Sequence, residues 1–428
     1  MMEGWKTDKF KNQIQYKSGY TWSKEQELKT QEPNSVRVLT VTNIQKDLDL
    51  SEELYLQGVS EKDKKEKAVS KDWCIAVSSN GNRKRIGNAV FIKDDTDYLF
   101  ASFLTAFKPK DNSEILPDYF FRWLSSHNVQ ERITSVSEGT TGLGNLDIRY
   151  LRNMDIDFPD KSEQSAIAAI LSKVDEVIAV VQGSISAAER LKKSLMQNLL
   201  TGRMKPDGTL RKEDEFYVDE KFGRVPVGWE VKRLKDICLN SGDYGANASA
   251  IDYDETKPRF IRITDIDDFG QLMDEGKASM AGDNTTKYML EEDDFLFART
   301  GDTVGKSLLY KKEMGPAVYA GYLIKFTFDK NLVLPDYFDL IAKSEFFEAF
   351  KIAMKRVGAK PNINSREYCS FKFLLPSDIK EQKEIFVRFA HIDKTQKEKQ
   401  NKIAILERLK KSLMQNLLTG KNRVKQLK

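Results

Sequence analysis

Histidine and cysteine are scarce in this chain of 428 residues. The two histidines, His127 and His391, provide little material for a zinc site or a histidine-based catalytic triad. The three cysteines are far apart and odd in number, which argues against a disulfide framework. We therefore expect buried thiols at Cys74, Cys238 and Cys369.

Long apolar runs and a strong charge bias are also lacking. No stretch approaches about eighteen consecutive apolar residues, and the N-terminal sequence MMEGWKTDKFKNQ lacks the apolar core of a signal peptide. We therefore expect a cytoplasmic protein with no membrane partner. The net charge of +4 is mild, so a nucleic-acid-binding surface would have to be local. The length and the 40% hydrophobic content predict two or more globular domains.

Two segments approach catalytic or metal-binding motifs and then depart from them. The sequence GDTVGKS at 301–307 has three residues between its glycines, whereas a phosphate-binding loop has four. The segment 265–276 resembles a calcium loop, but Phe269 and Gly276 stand where ligands are needed, so we expect an acidic turn. Glycine-rich dinucleotide motifs and the Asn-Pro-Pro-Phe motif of adenine methyltransferases are missing. The sequence predicts a non-catalytic chain that binds no cofactor or metal.

A long internal repeat organises the chain. The sequence ERLKKSLMQNLLTG occurs at 189–202 and again, 218 residues later, at 407–420. LPDYF occurs at 116–120 and 334–338 with the same spacing, while the residues further upstream align with small shifts. This spacing is too large for a solenoid repeat and indicates duplication of whole domains. Each half has a divergent front and a conserved back.

The conserved backs predict two long helices. Apolar residues recur at threes and fours over about 162–201, and Gly202 and Gly420 stand where left-handed C-terminal caps would fall. Such a helix would be roughly 60 Å long. The two helices are expected to bury their stripes as a coiled-coil-like pair, with antiparallel pairing favoured. Parallel pairing, pairing with another chain, and packing of each stripe on its own front remain open.

The fronts show short apolar runs separated by glycine and asparagine, which indicate strands and turns. Each front also has one strong helix signal, beginning at Pro117 or Pro335. The expected fold class is therefore α+β, with two mixed domains separated by the helix pair. The predicted divisions are front 1 (1–158), helical region 1 (159–203), a connector (204–224), front 2 (225–375), helical region 2 (376–420) and a basic tail (421–428).

Polar loops rich in hydrogen-bond donors follow strands at matching places in the two fronts. Arginine and lysine neutralise phosphates or pair with guanine, and asparagine pairs with adenine, so these loops have the chemistry of base reading. Ordinary surface turns use similar residues, which is the plainer interpretation. The candidate DNA contacts are Thr42, Asn43, Ser79, Asn80, Asn82, Arg83, Lys84, Arg85, Thr140, Thr141, Asn145, Arg262, Thr264, Arg299, Thr300, Asp302, Thr303, Lys306, Lys360, Asn362, Asn364 and Arg366.

Four elements together resemble the DNA-specificity subunits of type I restriction-modification systems, over essentially the whole chain. They are the PxGW opening at 226–229, the strand-turn ARTGDTVGK at 298–306, the Glu-Gln pairs at 163–164 and 381–382, and the helix end LKKSLMQNLLTG. The resemblance implies that the fronts are target recognition domains, each reading one half of a bipartite sequence in double-stranded DNA.

The resemblance also implies partners. The repeated helices would dock two methyltransferase subunits that use S-adenosylmethionine, and restriction subunits with ATP and magnesium would join them. The helix residues expected at the partner contacts are Leu191, Leu195, Leu199, Leu409, Leu413 and Leu417. Half-sites one duplex turn apart, roughly 34 Å, fit helices of the predicted length. Inserting one helical turn within 162–202 should then change the spacer and neither half-site.

The chain departs from this family's pattern in two places. The first front lacks a proline before Gly4 and Trp5, which predicts a shortened edge strand or a misplaced start codon. The middle of the second helix, 394–402, is nearly all polar, which puts the equivalence of the two partner contacts in doubt. A rival interpretation is a non-enzymatic coiled-coil scaffold whose two fronts bind proteins.

Overall fold

The computed structural model describes residues 4–137, 143–282, 285–354 and 361–424. The chain divides into two compact units. Unit 1 covers the described parts of 1–183 and 400–428, and unit 2 covers the described parts of 184–399. Within these ranges, no helix is both long enough and apolar enough to cross a membrane.

Unit 1 is a mixed helix and strand domain. Its strands are β1 (Lys6–Lys9), β2 (Ile14–Ser18), β3 (Glu27–Leu28), β4 (Val36–Leu39), β5 (Tyr55–Leu56), β6 (Cys74–Val77), β7 (Ser79–Asn80), β8 (Ala89–Phe91), β9 (Leu99–Phe100), β10 (Leu104–Pro109), β11 (Gly144–Asn145) and β12 (Asp155–Phe158). Its helices are α1 (Phe10–Gln13), α2 (Glu61–Lys67), α3 (Pro117–Leu124), α4 (His127–Val136), α5 (Ile148–Asn153) and the first part of α6 (Lys161–Leu199).

Unit 2 is built in the same way. Its strands are β13 (Phe216–Asp219), β14 (Gly223–Pro226), β15 (Trp229–Arg233), β16 (Asp243–Tyr244), β17 (Ala250–Asp252), β18 (Arg259–Ile261), β19 (Ala278–Met280), β20 (Phe295–Ala298), β21 (Ser307–Leu309), β22 (Ala317–Tyr319), β23 (Leu323–Phe326) and β24 (Lys372–Pro376). Its helices are the second part of α6, α7 (Pro335–Ala342), α8 (Glu345–Met354), α9 (Ser365–Cys369) and the first part of α10 (Ile379–Leu417), which continues into unit 1.

The sheets of the two units repeat the same strand order. The antiparallel sheet β2-β10-β6-β8 corresponds to β16-β23-β20-β21. The second sheet, β3-β5-β4-β9, corresponds to β17-β19-β18-β22, and both contain one parallel pair, β4 with β9 and β18 with β22. The predicted α+β class is therefore confirmed. Strands this short pair in the same order twice because the duplicated fronts keep their apolar positions while their surfaces diverge.

The helix after each LPDYF motif begins with proline, as predicted. Pro117 and Pro335 stand in the first turns of α3 and α7, where a missing backbone N–H costs nothing. The aromatic residues that follow are buried in the unit cores, Tyr119 and Phe120 in one and Tyr337 and Phe338 in the other.

A buried glutamine fixes the start of each long helix to its own unit. Gln164 accepts from the Leu116 N–H at 2.8 Å and donates to the carbonyls of Glu114 and Pro159 at 2.9 and 2.8 Å. Gln382 accepts from the Leu334 N–H at 2.8 Å and donates to two carbonyls in the same arrangement. Both side chains have zero exposed area. The repeated Glu-Gln pair is thus explained by backbone groups that would otherwise be buried without partners.

The predicted thiols are only partly in the cores. Cys74 and Cys369 are buried as expected, whereas Cys238 is partly exposed. Burial nevertheless raises the pKa of the Cys238 thiol well above its ordinary value.

Helices α6 and α10 pair in antiparallel fashion within each unit, as favoured from the sequence. In unit 1 the Asp175 carboxylate contacts Lys410 at 2.5 Å. In unit 2 Lys192 pairs with Asp393, and the Lys399 ammonium donates to the Ser184 hydroxyl at 2.6 Å. From one contact to the next, the residue numbers rise along α6 and fall along α10, so the two helices run in opposite directions. The two ion pairs occupy equivalent positions of the duplicated sequence.

The buried face of α6 is defined by two apolar residues in its first turns. Ile167 and Leu171 are buried, whereas Ile170 is 36% exposed. Residues three and four apart share a helix face, so Ile167 and Leu171 form one row. The predicted boundaries of the helix, about 162–201, agree with its observed span of Lys161–Leu199.

The leucines of the repeated segment have two different environments. Leu199 belongs to the core of unit 2 and Leu417 to the core of unit 1, while Leu195 and Leu413 are partly buried against the same cores. Leu191 and Leu409 are 53% and 47% exposed. Four of the six predicted partner contacts therefore pack within this chain. The open alternative, packing of each stripe on its own front, holds for the first turns, where Ile167 belongs to the core of unit 1 and Ile385 to that of unit 2. It is wrong for the repeated helix ends, because Leu199 and Leu417 belong to the core of the unit that does not contain the front preceding their helix.

The ion pair between the helices in unit 1 should make stability depend on pH. Burial raises the pKa of the Asp175 carboxyl, but hydrogen bonds and charge from Lys410 and Arg122 outweigh it, so the pKa lies below its ordinary value of 3.8. A depressed folded-state pKa stabilises the fold above the unfolded value, and this stability is lost as the pH falls through the folded value. Because both side chains of the pair are partly exposed, its effect should be about 1 kcal/mol or less.

We expect Asp175→Asn to lower the free energy of unfolding at pH 7, with the difference from the parent narrowing as the pH falls below 3.8. Urea unfolding at pH values between 7 and 3 measures this. Asp111→Asn is the matched control, because the Asp111 side chain is exposed and has no ion pair among the described residues. A difference between parent and Asp175→Asn that stays constant with pH would contradict the assignment.

Candidate nucleic-acid interface

Three loops in each unit carry the predicted DNA contacts. We name them loop 1 (40–44 in unit 1, 262–266 in unit 2), loop 2 (78–88 and 299–306) and loop 3 (143–147 and 361–364). Loop 1 follows β4 or β18, loop 2 joins β6 to β8 or β20 to β21, and loop 3 precedes α5 or α9. The duplicated fold therefore puts equivalent loops at equivalent strand ends.

Loops 2 and 3 pair with each other in unit 1. Ser79 of β7 lies opposite Asn145 of β11 in an antiparallel register. The backbone N–H of Leu146 donates to the Ser78 carbonyl at 2.8 Å. Two segments more than sixty residues apart in the chain thus form one polar edge.

The same pairing occurs in unit 2. Thr300 forms an antiparallel bridge with Asn362, and the backbone N–H of Ile363 donates to the Arg299 carbonyl at 2.9 Å. Asn145 and Asn362 therefore occupy the same place in the two units, and both side chains are exposed. The sequence matched each loop only with its counterpart in the other front. The structure shows that loops 2 and 3 lie side by side within each unit.

A basic residue of loop 2 fastens loop 1 in both units. Arg85 donates to the Ile44 carbonyl at 2.7 Å, and Lys306 donates to the equivalent Ile266 carbonyl at 3.3 Å. Lys306 also pairs with Asp268 at 2.8 Å, and this hydrogen bond lowers the pKa of the Asp268 carboxyl. These two cations hold loop 2 to loop 1 in their units, so their charges are partly used inside the unit.

Most of the remaining predicted contacts reach solvent. The exposed side chains are Thr42, Asn82, Arg83, Lys84, Asn145, Thr264, Asp302, Asn362 and Arg366. The partly exposed ones are Ser79, Asn80, Arg85, Arg262, Arg299, Thr300, Thr303, Lys306 and Asn364. Thr140, Thr141 and Lys360 lie outside the described residues.

The exposed basic residues of unit 1 sit on a short turn. Arg83, Lys84 and Arg85 form a 3₁₀ turn that Asn82 caps by accepting the Lys84 N–H at 3.1 Å. Within the described ranges, the side chains of Arg83 and Lys84 make no ion pair or hydrogen bond. Their charges are available to a phosphate backbone or a guanine edge.

Three predicted contacts have structural roles in loop folding. Asn43 is 3% exposed, and its amide donates to the Asp49 carbonyl at 2.8 Å. Arg262 holds the buried Asp265 carboxylate through two hydrogen bonds of 3.0 and 2.7 Å. Asn364 caps α9 by accepting a backbone N–H at 3.0 Å. Polar side chains near strand ends serve both turns and ligands, so composition could not separate these roles.

Arg299 is the most clearly preorganised donor of the candidate site. Its guanidinium carbon lies 4.8 Å from the centre of the Tyr244 ring, a cation–π contact. Its Nε is buried without a hydrogen-bond partner. The Tyr244 hydroxyl accepts the backbone N–H of Ser365 at 3.1 Å, which fixes the ring. Among the described residues, no acceptor takes a hydrogen bond from this guanidinium, and a fixed guanidinium fork matches the O6 and N7 edge of guanine.

Sequence reasoning missed Tyr244. A tyrosine two residues into a strand signal reads as a core position, and its contact with Arg299 joins segments 55 residues apart. The signal that could have found it is the duplicated glycine after it. Gly245 corresponds to Gly19, and a Cβ at either would lie within 2.4 Å of a backbone carbonyl oxygen, that of Ala320 or Ala101.

The two near-motifs fold as their departures predicted. In 301–307 the 3₁₀ turn Gly301–Thr303 is followed by strand β21, whereas a phosphate-binding loop leads into a helix. In 265–276 the Asp267 carboxylate accepts the backbone N–H groups of Phe269 and Gln271 at 2.9 and 2.7 Å. The second segment is therefore an acidic turn that satisfies its own backbone.

Two mixed domains with equivalent polar loops and paired long helices define a class of duplicated recognition protein. A family profile described as "Type I restriction modification DNA specificity domain" matches residues 2–190 and 226–408. The chain belongs to this family of type I restriction-modification specificity subunits. Both matched segments contain the three loops of their unit.

Curated relatives agree with this assignment. The chain is 26% identical over 333 residues to the type I restriction enzyme MjaVIII specificity subunit of Methanocaldococcus jannaschii, which covers 76% of this chain and 74% of the relative. It is 22% identical over 395 residues to the putative MjaX specificity subunit of the same organism, covering 88% and 85%.

Solved structures share the fold. The S subunit of a type I restriction-modification system from M. genitalium superposes with a TM-score of 0.56 at 17% identity, over 96% of both chains. A chain solved in work on complex assembly and conformational transition of the type I restriction-modification system superposes with a TM-score of 0.55 at 12% identity, over 97% of this chain and 98% of that one.

Proposed function

We propose that this chain reads a bipartite, asymmetric DNA target, with unit 1 reading one half-site and unit 2 the other. The observation that carries this proposal is one loop surface built twice with different donors. Loop 2 of unit 1 presents Arg83 and Lys84, whereas loop 2 of unit 2 presents Arg299 on Tyr244. Equal backbones with unequal donors would recognise different bases. The predicted fronts, 1–158 and 225–375, bound the two reading domains in this proposal.

The paired helices are proposed to dock two methyltransferase subunits. Leu191 and Leu409 support this, because they occupy equivalent positions of the repeat and are about half-exposed. Equivalent exposed apolar residues in the two halves of the chain would each bind one copy of the same partner. Restriction subunits would join the larger complex. The length of the helices would set the spacer of the target.

Catalysis is proposed to reside in the partners. S-adenosylmethionine would bind to the methyltransferase subunits, and ATP with magnesium to the restriction subunits, while this chain would bind no cofactor. The complex would work in the cytoplasm, where its DNA is.

The proposal is tested by titrating the purified complex of this chain and its methyltransferase partner against duplex DNA at several salt concentrations. We expect binding that weakens steeply with salt, because phosphate contacts release counterions. Duplexes carrying the methylated sequence should compete better than scrambled duplexes. The rival, a coiled-coil scaffold with two protein-binding fronts, predicts no affinity for DNA beyond that of the partner alone, and that result would refute the proposal.

A further inference from the structure

An exposed aromatic residue projects from a tight turn at the same place in both units. The turn 101–104 carries Phe103, which is 54% exposed, and the turn 320–323 carries Tyr322, which is 61% exposed. Each turn is closed by one backbone hydrogen bond, from Leu104 to Ala101 at 2.9 Å and from Leu323 to Ala320 at 2.8 Å. The turns lead into β10 and β23, the second strands of the equivalent sheets.

The base of each turn is fixed by close backbone packing. Gly19, which follows β2, lies against the Ala101 carbonyl so closely that a Cβ would come within 2.0 Å of the oxygen. Gly245 lies against the Ala320 carbonyl in the same way, with a corresponding distance of 2.4 Å. A turn held this tightly fixes the backbone from which its aromatic side chain projects.

Each turn is joined directly to loop 2. The Phe103 carbonyl accepts the backbone N–H groups of Ser78 and Ser79 at 2.9 and 3.1 Å. The Tyr322 carbonyl accepts the backbone N–H of Arg299 at 2.9 Å. The exposed ring therefore stands beside the first residue of the donor-bearing loop in both units.

Core packing does not account for these rings. A single exposed aromatic residue is ordinary on a protein surface. Two of them at equivalent positions, each on a rigid turn beside the polar loops, are better explained by a ligand with apolar faces. Bases provide such faces, and aromatic side chains stack on bases or wedge between them.

We propose that Phe103 and Tyr322 make the apolar base contact in their respective half-sites. The ring lies against the bases while loops 1 to 3 supply the polar contacts. This inference rests on the proposed function, since it needs DNA bound at the loop surface. In each unit, the aromatic residue would thus contribute to specificity through an apolar contact and not through hydrogen bonds to base edges.

The test is Tyr322→Ala in the complex with the methyltransferase partner, measured by binding to duplexes of the target sequence. We expect affinity to fall roughly 10- to 100-fold, the loss typical of a base–aromatic contact. Tyr322→Phe should bind like the parent. The slope of affinity against salt should stay unchanged, because no phosphate contact is lost. Phe103→Ala should show the same loss. Scrambling the first half-site should abolish the effect of Phe103→Ala and leave the effect of Tyr322→Ala unchanged.

Leu239→Ala is the matched control. Leu239 is 70% exposed, and its backbone N–H bonds to Thr327, at the opposite end of β23 from Tyr322. The Leu239→Ala complex should bind like the parent.

If the parent complex binds its target specifically and Tyr322→Ala binds with the same affinity, the inference about the aromatic residues is overturned while the proposed function stands. A reduced salt slope would also overturn it. A parent complex with no specific DNA binding refutes the proposed function instead.

Discussion

Arg299→Ala is expected to weaken binding of the assembled complex to its target roughly 10- to 100-fold, because the bidentate guanine contact that we propose for Arg299 would contribute about 1 to 3 kcal/mol of discrimination. Arg299 is held over Tyr244 and has no acceptor within the described parts of the chain. Its guanidinium is therefore oriented before DNA arrives, and little conformational entropy is lost on binding. Competition binding with the complex measures the change.

Three comparisons isolate the role of Arg299. Arg299→Lys should remain weak, since an ammonium keeps the charge but loses the planar fork. Arg233→Ala removes one exposed charge outside the three loops of unit 2 and should bind like the parent. On duplexes scrambled in the second half-site, the parent and Arg299→Ala should bind equally. A loss of the same size on such scrambled duplexes would show that the contact is not a base contact of that half-site.

Gln382→Ala should destabilise unit 2 by about 3 kcal/mol, because buried backbone groups left without partners cost about 1 to 3 kcal/mol each. The Gln382 side chain, at the start of α10, accepts from the Leu334 N–H and donates to the Leu332 and Pro376 carbonyls. Without it, the segment before α7 and the segment before α10 lose the side chain to which both are hydrogen-bonded. Urea unfolding gives the total change, and hydrogen exchange followed by mass spectrometry resolves the unit in which it occurs.

The equivalent variant Gln164→Ala should destabilise unit 1 instead. Gln396→Ala is the control, because Gln396 lies on α10 and its side chain makes no hydrogen bond to a described residue. Faster exchange in both units of Gln382→Ala, or a stability equal to that of Gln396→Ala, would contradict the local role of the glutamine.

The duplication explains how much of the fold could be predicted. Identical segments at a fixed spacing predicted two equivalent units, two long helices and one helix after each LPDYF motif, because these features depend on local apolar pattern and capping. The pairing of loop 2 with loop 3 was not predictable. It depends on a register between Ser79 and Asn145, or Thr300 and Asn362, that only the folded sheet fixes.

The roles of individual polar residues were the least predictable part of the site. Asn43 and Asn145 are both loop asparagines, yet the first is buried in loop 1 and the second is exposed on loop 3. Arg262 and Arg299 both follow buried strands, yet only Arg262 has a carboxylate beside it. Composition identifies the loops, while tertiary contacts decide which donors remain available.

The repeated helix segment also has a second explanation. Docking of two copies of one partner would account for its identity, but Leu199 and Leu417 are buried in the cores of units 2 and 1. Equivalent cores require equivalent side chains, since interiors are closely packed. Intrachain packing thus accounts for the end of the repeat, and the proposed partner contact is limited to its exposed face around Leu191 and Leu409.

Sequencing of methylated adenines across the genome of cells that carry this chain and its methyltransferase partner tests the central claim most directly. We expect one bipartite motif with two different half-sites and a fixed spacer. Cells with Arg299→Ala should show degenerate bases in one half-site only, with the other half-site and the spacer unchanged. A continuous motif, or loss of specificity in both half-sites from this single change, would contradict the assignment of one half-site to each unit.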